Sequence, residues 1–156
     1  MPESTGTPGW VLKVPPPLWG LAFFAAAFAA DRLFAWPIVA RAPALGVAVC
    51  VVGLLLSAWA ALTFVYEDTE LNPTSAGNKK LVAKGPFRFT RNPMYLGLTL
   101  IGLGLALVFG TLPFYLVPLA VFLFCNSGIV PFEEAKMRRQ FGDQYTDYCR
   151  RVRRWL

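Results

Sequence analysis

The sequence predicts an all-α integral membrane protein, with about four transmembrane helices and a C-terminal amphipathic helix at the cytoplasmic interface. The chain of 156 residues is 56% hydrophobic, and its mean hydropathy is +0.49, which is high for a soluble domain of this length. Its apolar residues fall into long blocks, and its cations fall mostly between or after them. We therefore treat residues 1–156 as a single membrane domain.

The apolar blocks define the predicted spans, since a membrane helix needs about 20 apolar residues. The first block covers residues 18–34 and the second covers residues 44–66. The third runs from Met94 to Pro131 without any Lys, Arg, Asp or Glu, and it is too long for one span. The turn residues Gly110 and Pro113 divide it into spans at 94–111 and 113–131. A loop at 67–93 and a tail helix at 132–156 remain.

The distribution of cations predicts the orientation. The loop carries Lys79, Lys80, Lys84, Arg88 and Arg91, and the tail carries seven more: Lys136, Arg138, Arg139, Arg150, Arg151, Arg153 and Arg154. The opposite side has only Arg32 and Arg41. The positive-inside rule then places the loop, the tail and both termini in the cytoplasm. The N-terminus lacks a basic start and a small-residue cleavage site, so we expect no cleavable signal.

The net charge of +6 raises the question of an anionic partner. Nucleic acid is one candidate for a basic protein. A chain with so little soluble surface is better suited to anionic lipid headgroups. We therefore expect membrane lipids, and no nucleic acid, as partners.

Residue usage excludes several chemistries. The chain has no histidine, so a Ser-His or Cys-His nucleophile and a histidine metal ligand are absent. Cys50, Cys125 and Cys149 show no paired spacing, which argues against a metal site or a disulfide framework. No catalytic residue can be assigned from the sequence.

Two short segments offer complementary charges on the cytoplasmic face. Asn92 and Pro93 are typical of a helix start, whose free N–H groups attract anions, and Arg91 lies beside them. Glu133 and Glu134 follow the last span, where they either bind a cation or neutralise Arg91 and its neighbours. The alternative is that Asn92 only caps a helix, Arg91 only anchors it, and the carboxylates only complement a helix dipole.

The tail has an apolar face. Phe141, Tyr145, Tyr148 and Val152 recur at steps of four, three and four, which places them on one side of a helix. The other positions are strongly basic, so we expect an interfacial helix on the cytoplasmic leaflet that covers the loop. Trp155 fits an aromatic anchor at the interface.

These motifs together resemble the isoprenylcysteine carboxyl methyltransferase family and its bacterial relatives. The resemblance covers roughly the C-terminal half, in order and at matching spacing. It is carried by Leu81-Val82, Gly85-Pro86-Phe87-Arg88, the run from Arg91 to Gly97, Glu133-Glu134, Phe141-Gly142, Tyr145, Tyr148, and Val152 to Leu156.

The resemblance implies a membrane methyltransferase of the bacterial inner membrane that uses S-adenosylmethionine at a cytoplasmic site. The basic side chains and the helix start suit the carboxylate of the cofactor, Glu134 suits its ammonium, and the apolar residues suit the adenine. Carried over by position, the cofactor-binding residues are Asn72, Lys79, Lys80, Leu81, Val82, Gly85, Phe87, Arg91, Asn92, Pro93, Met94, Tyr95, Glu133 and Glu134.

Two differences from the family pattern affect which methyl acceptor we expect. Many members have histidine at the position of Asn92, and the isoprenylcysteine enzymes carry an arginine shortly before the paired glutamates. Here the run from Gly128 to Pro131 has no cation. A small or lipophilic acceptor such as a thiol, an amine headgroup or an isoprenoid-like acid is therefore favoured over a prenylated-protein carboxylate.

Two other functions stay open. One is a membrane reductase of the sterol-reductase type that uses NADPH. The other is a non-enzymatic membrane protein whose basic face binds lipid or a partner.

Overall fold

The computed structural model describes Val11, residues 14–67 and residues 80–156, and within these residues the protein is all-helical. An isolated bridge between Ile38 and Thr111 is the one β feature of this part of the chain. The predicted all-α class is confirmed. The helices are α1 (Pro16–Leu33), α2 (Pro43–Tyr66), α3 (Pro93–Phe109), α4 (Leu112–Phe124) and α5 (Val130–Arg151), with a 3-10 turn at Gly85–Arg88 and a π turn at Cys125–Ile129.

Proline marks the start of each of these helices. It occupies one of the first two helical positions in α1 to α4, where its missing N–H leaves no hydrogen bond unmade. In α5, Pro131 follows the π turn. Gly110 ends α3 in the left-handed conformation, with a φ of 84°. The predicted turn between Gly110 and Pro113 therefore separates α3 from α4.

The predicted boundary near residue 131 is not a break in the helix. Helix α4 continues through the π turn into α5 without a break, and Gly142, with a φ of 49°, kinks α5 before it reaches Arg151. A π turn accommodates a residue such as Pro131 that cannot donate to the preceding turn. Glu133 and Glu134 consequently lie inside a continuous helix, and complementing the dipole of a free helix start does not explain them.

Two of the described helices are long and apolar enough to cross a membrane. They are α2, with a mean hydropathy of 2.4, and the helical segment Leu112–Arg151, with a value of 1.8. Only 17% of the most apolar window of α2 is buried, and Leu55 is 65% exposed. An apolar helix exposed to this extent is typical of one that contacts lipid. The predicted total of four spans stays a prediction, because α1 does not reach the length and hydropathy of a membrane-crossing helix and α3 is a shorter apolar helix.

Glycines bring α2 and α3 into close contact. Gly46 and Gly53 on α2 face Gly104 and Gly97 on α3, and a Cβ atom added at Gly53 would lie 2.6 Å from the Gly97 carbonyl oxygen. Small residues allow such an approach of two apolar helices. The Ser57 hydroxyl also donates to the Met94 carbonyl, at 3.3 Å. The first turn of α3 is therefore held against α2.

The tail helix packs onto the loop. Tyr145, Tyr148 and Val152 are buried together, and Leu81 and Phe141 pack against them. The predicted apolar face is thus turned towards the protein. Trp155 donates from Nε1 to Asn126 Oδ1 at 3.0 Å and packs on Phe122, and its role as an interface anchor stays a prediction.

Candidate functional site

A cavity lies where the end of α2, the segment 80–91, the start of α3 and the start of α5 meet. Its volume is about 110 Å³, and it is partly open to solvent. Most of the residues predicted from the sequence line it: Lys80, Leu81, Val82, Phe87, Arg91, Asn92, Pro93, Met94, Tyr95, Glu133 and Glu134.

The other three predicted residues are Asn72, Lys79 and Gly85. Asn72 and Lys79 lie outside the described residues. Gly85 does not line the cavity; it starts the 3-10 turn with a φ of 53°, and a Cβ atom there would lie 2.9 Å from Thr63 Oγ1. Its role in this structure is to let the loop turn close to α2.

The loop is held from both sides by aromatic residues. The ring of Phe87 packs edge-on against Phe64 of α2, with the ring centroids 5.0 Å apart. The Tyr148 hydroxyl donates to the Phe87 carbonyl oxygen at 2.7 Å. Helices α2 and α5 therefore fix the same loop residue.

Five residues that line the cavity were not predicted: Phe64, Lys136, Met137, Tyr145 and Tyr148. Tyr145 and Tyr148 belong to the apolar face of the tail, so that face could have indicated them once it was assigned to the loop. Phe64 is one apolar residue among many in α2, and no sequence signal distinguishes it.

Glu134 is the centre of a cluster of arginines. Its Oε1 atom accepts from Arg91 Nη2 at 2.8 Å, and its Oε2 atom accepts from Arg154 Nη2 at 2.6 Å and from Arg138 Nη2 at 3.4 Å. Glu134 is 3% exposed. Burial by itself raises the pKa of a carboxyl, but the hydrogen bonds from Arg154 and Arg91 outweigh it and hold the pKa of Glu134 below its usual value.

Arg91 connects this cluster to the chain end. Its Nη1 atom donates to the Val152 carbonyl at 2.7 Å, and its backbone N–H donates to the Arg153 carbonyl at 3.0 Å. Its Nε atom is buried and has no hydrogen-bond partner among the described residues. A buried guanidinium N–H without a partner beside a cavity is suited to an anionic ligand.

Asn92 occupies the position before α3, but its side chain does not cap the helix. Its Nδ2 atom donates to the Arg154 carbonyl at 2.9 Å. The first hydrogen bond of the helix runs from the Leu96 N–H to the Asn92 carbonyl. The N–H groups of Met94 and Tyr95 precede that bond and lie at the positive end of the helix dipole.

Glu133 has a different environment from its neighbour. The Tyr95 hydroxyl donates to Glu133 Oε1 at 2.6 Å. Burial raises the pKa of Glu133 to about 7, the Tyr95 hydrogen bond and Lys136 partly oppose this rise, and the charge of Glu134 adds to it. The two adjacent carboxyl groups therefore differ in pKa, since only one of them is bound by arginines.

The cavity combines three chemical features. Arg91 and the start of α3 provide a cationic wall, Glu133 provides an acidic group, and aromatic and aliphatic side chains form the remaining surface. Residues 14–67 and 80–156 contain no group of side chains that could hold a metal ion. The site is suited to a small molecule that has both charges and a flat apolar part.

Comparison with known proteins identifies the family. The model of the phospholipid methyltransferase family matches residues 42–144, more than half of the chain. This stretch includes α2, the loop, α3 and the paired glutamates, and the isoprenylcysteine carboxyl methyltransferases belong to the same family. Searches of the curated proteins and of the solved structures find no match to this chain. The resemblance carried by the motifs is therefore confirmed, and the chain belongs to the phospholipid methyltransferase family.

Proposed function

We propose that this protein uses S-adenosylmethionine to methylate a small or lipophilic acceptor at the cytoplasmic face of a bacterial inner membrane. Membership of a methyltransferase family supports methyl transfer to a lipid-like acceptor. The observation that carries the proposal is the buried, unpartnered Nε atom of Arg91 beside a cavity that also holds Glu133.

The residues present fit the charges of this cofactor. Arg91 Nε and the N–H groups at the start of α3 would hold its carboxylate. Glu134, which we expected to bind the ammonium, has both oxygens engaged by arginines. In our proposal it positions Arg91, and Glu133 faces the cationic groups of the cofactor.

The flat adenine requires apolar walls. The loop residues Leu81, Val82 and Phe87 provide one such wall, and Phe64 provides another. Tyr145 and Tyr148 are 3% and 4% exposed and close the tail helix over the loop, which limits the access of water.

When bound, the cofactor would supply a methyl group on a positively charged sulfur. The residues of the chain would then orient the reactants and keep water from them, because alignment and desolvation account for much of such a rate increase. The exposed apolar sides of α2 and α4 support an acceptor that arrives from the lipid. The cations of the loop and tail support the cytoplasmic placement of the site.

A binding experiment tests the proposal. The protein, purified in a mild detergent, is titrated with S-adenosylmethionine and separately with NADPH. We expect binding of S-adenosylmethionine, and we expect Arg91→Lys to weaken it by roughly tenfold to a hundredfold, because Lys cannot replace the Nε–H donor of the planar fork.

The control is Arg139→Lys, which changes an exposed arginine of α5 that does not line the cavity. Arg139→Lys should keep the melting temperature of the parent. Arg91→Lys also changes the contacts of Arg91 with Glu134 and the Val152 carbonyl, so its melting temperature should fall, and binding is compared at a temperature at which both variants are folded. Binding of NADPH without S-adenosylmethionine would favour the reductase. Binding of neither, together with binding to anionic vesicles, would favour the non-enzymatic function.

A further inference from the structure

We propose that Glu133, hydrogen-bonded to Tyr95, is the proton acceptor of the reaction, and that the substrate is an amine or a thiol rather than a carboxylic acid. This inference rests on the proposed methyl transfer. Its geometric basis is the contact of 2.6 Å between the Tyr95 hydroxyl and Glu133 Oε1, both on residues that line the cavity. Tyr95 comes from the start of α3 and Glu133 from the start of α5, so two helices fix the carboxyl group.

The other side chains that line the cavity are poorly suited to accept a proton. The chain has no histidine, and both oxygens of Glu134 are engaged by arginines. The Tyr148 hydroxyl donates to the Phe87 carbonyl. Lys80, Lys136 and Arg91 are hydrogen-bond donors without an acceptor lone pair. Burial raises the pKa of the Tyr145 hydroxyl above its usual value, which disfavours the anionic form of Tyr145. Among the described lining residues, Glu133 is the remaining candidate for a base.

The groups around Glu133 shift its pKa towards a value that suits a general base. Tyr95 faces it from α3, Lys136 and Glu134 lie on its own helix, and Cys125 of the π turn is close enough to interact with its charge. Burial is the largest influence and raises the pKa of Glu133 to about 7. A base with a pKa near the working pH is the most effective in proton transfer.

The helical turn before Glu133 argues against a carboxylate substrate. Ile129 and Val130 are 2% and 0% exposed, and they form the apolar core with Phe114. No cation occupies residues 128–131. A carboxylate acceptor therefore finds no cation at this turn, and it would have to be held by the cations elsewhere in the cavity, which are Lys80, Arg91 and Lys136.

In the proposed reaction, an N–H bond of the ammonium form of the amine, or the S–H bond of the thiol, breaks, and the proton goes to the Glu133 carboxylate. The electron pair left on nitrogen or sulfur forms a bond to the methyl carbon of the sulfonium donor. The electron pair of the broken carbon–sulfur bond stays on the donor sulfur, which leaves as a neutral thioether. The protonated Glu133 then returns its proton to water.

The test compares three acceptors of equal chain length: dodecylamine, dodecanethiol and dodecanoic acid. The full chain in detergent is supplied with methyl-labelled S-adenosylmethionine across pH 5 to 9. We expect methylation of the amine or the thiol, with a rate that falls on the acid side with an apparent pKa of about 7. Glu133→Gln should lower kcat at saturating S-adenosylmethionine by roughly a hundredfold or more. Because Glu133 also faces the cationic groups of the cofactor in the proposed function, the Kd of S-adenosylmethionine should rise too, by up to about tenfold.

Tyr95→Phe provides an independent measurement. The hydrogen bond from Tyr95 favours the ionised form of Glu133, so its loss should move the acid limb of the rate profile to higher pH. A purely structural role would lower the rate without moving the profile. Asp147→Asn, a change of an exposed carboxylate of α5 that pairs with Arg150, serves as the control and should alter neither quantity.

Several outcomes would overturn the inference. Faster methylation of dodecanoic acid than of the other two probes would do so, as would methylation of none of them. The same holds if Glu133→Gln weakens binding of S-adenosylmethionine by more than about tenfold but leaves kcat at saturation intact, because Glu133 would then be only a cofactor ligand. Failure of the unsubstituted protein to bind S-adenosylmethionine would instead remove the proposed function itself.

Discussion

Arg154 binds both carboxylate oxygens of Glu134, which lies 20 residues earlier in the chain. The Nε–Oε1 distance is 3.1 Å, and the Nη2–Oε2 distance is 2.6 Å. Because Arg91 binds the same carboxylate, the end of the chain and the segment before α3 meet at one buried charge. The Arg154 carbonyl strengthens the connection, since it accepts from the Thr90 hydroxyl and from Asn92 Nδ2.

Replacement of Arg154 should therefore weaken the site as well as the fold. We expect Arg154→Ala to lower the free energy of unfolding by about 1–2 kcal/mol, because Glu134 stays buried with a weaker set of partners. The expected loss is below that of a fully buried pair, since the Arg154 side chain is 36% exposed and two other arginines remain. Unfolding in detergent and the Kd of S-adenosylmethionine provide the measurement.

Arg153→Ala is the matched control for this variant. The Arg153 side chain is exposed. Within the described residues it donates one hydrogen bond, from Nη1 to the Leu156 carbonyl at 3.5 Å. Its backbone carbonyl, which Arg91 uses, is retained in the variant. Equal effects of the two substitutions would show that the bond between Arg154 and Glu134 contributes nothing specific.

The sequence predicted the location of the site better than the roles of its residues. Proline and glycine fix their own backbone angles, so Pro93 and Gly110 indicated where helices begin and end. Glu133 and Glu134 were identified together, but neighbouring residues on a helix point about 100° apart. Which carboxylate meets the arginines therefore depends on the rotation of α5, which only the packed structure shows.

Long-range partners were also hidden from the sequence. Nothing in the order of residues indicates that Trp155 bonds Asn126, or that the glycines of α2 face those of α3. Those contacts depend on how the helices are positioned relative to one another. The helix propensity of each residue carries no information about that arrangement. The cations of the tail predicted its polarity, and its aromatic residues predicted the side that is buried.

The paired glutamates should contribute to stability with opposite dependence on pH. The pKa of Glu134 is lowered in the folded protein, so its contribution is present above the usual value of 4.5 and is lost as the pH falls through the lower folded value. Glu134→Gln should thus remove part of the acid destabilisation. The free energy of unfolding, measured from pH 3 to pH 8, should therefore depend less on pH below 4.5 in the variant than in the parent.

Glu133 provides the internal comparison. Its folded pKa is raised to about 7, so its contribution is present below 4.5 and is lost as the pH rises through about 7. Glu133→Gln should reduce the pH dependence of the free energy of unfolding between pH 4.5 and about pH 7, and it should leave the dependence below pH 4.5 unchanged. Identical curves for the two variants would contradict the assignment of the arginines to Glu134 alone.

The close approach of α2 and α3 should be as necessary to the site as its charged residues. A Cβ atom at Gly53 would lie 2.6 Å from the Gly97 carbonyl oxygen and 3.0 Å from the Ile101 backbone nitrogen. Both neighbours are backbone atoms, so the helices must separate to admit a methyl group. Since Met94 and Tyr95 lie at the end of α3 nearest the cavity, separation would also move their side chains.

We therefore expect Gly53→Ala to lower the melting temperature and to weaken binding of S-adenosylmethionine, although residue 53 does not line the cavity. Overpacking of this kind typically costs about 1–3 kcal/mol. Gly20→Ala is the control, because the atoms nearest its added Cβ belong to the Leu98 side chain, the closest at 3.2 Å, which can rotate. If Gly53→Ala behaves like Gly20→Ala in both measurements, the spacing of α2 and α3 does not determine the position of Tyr95.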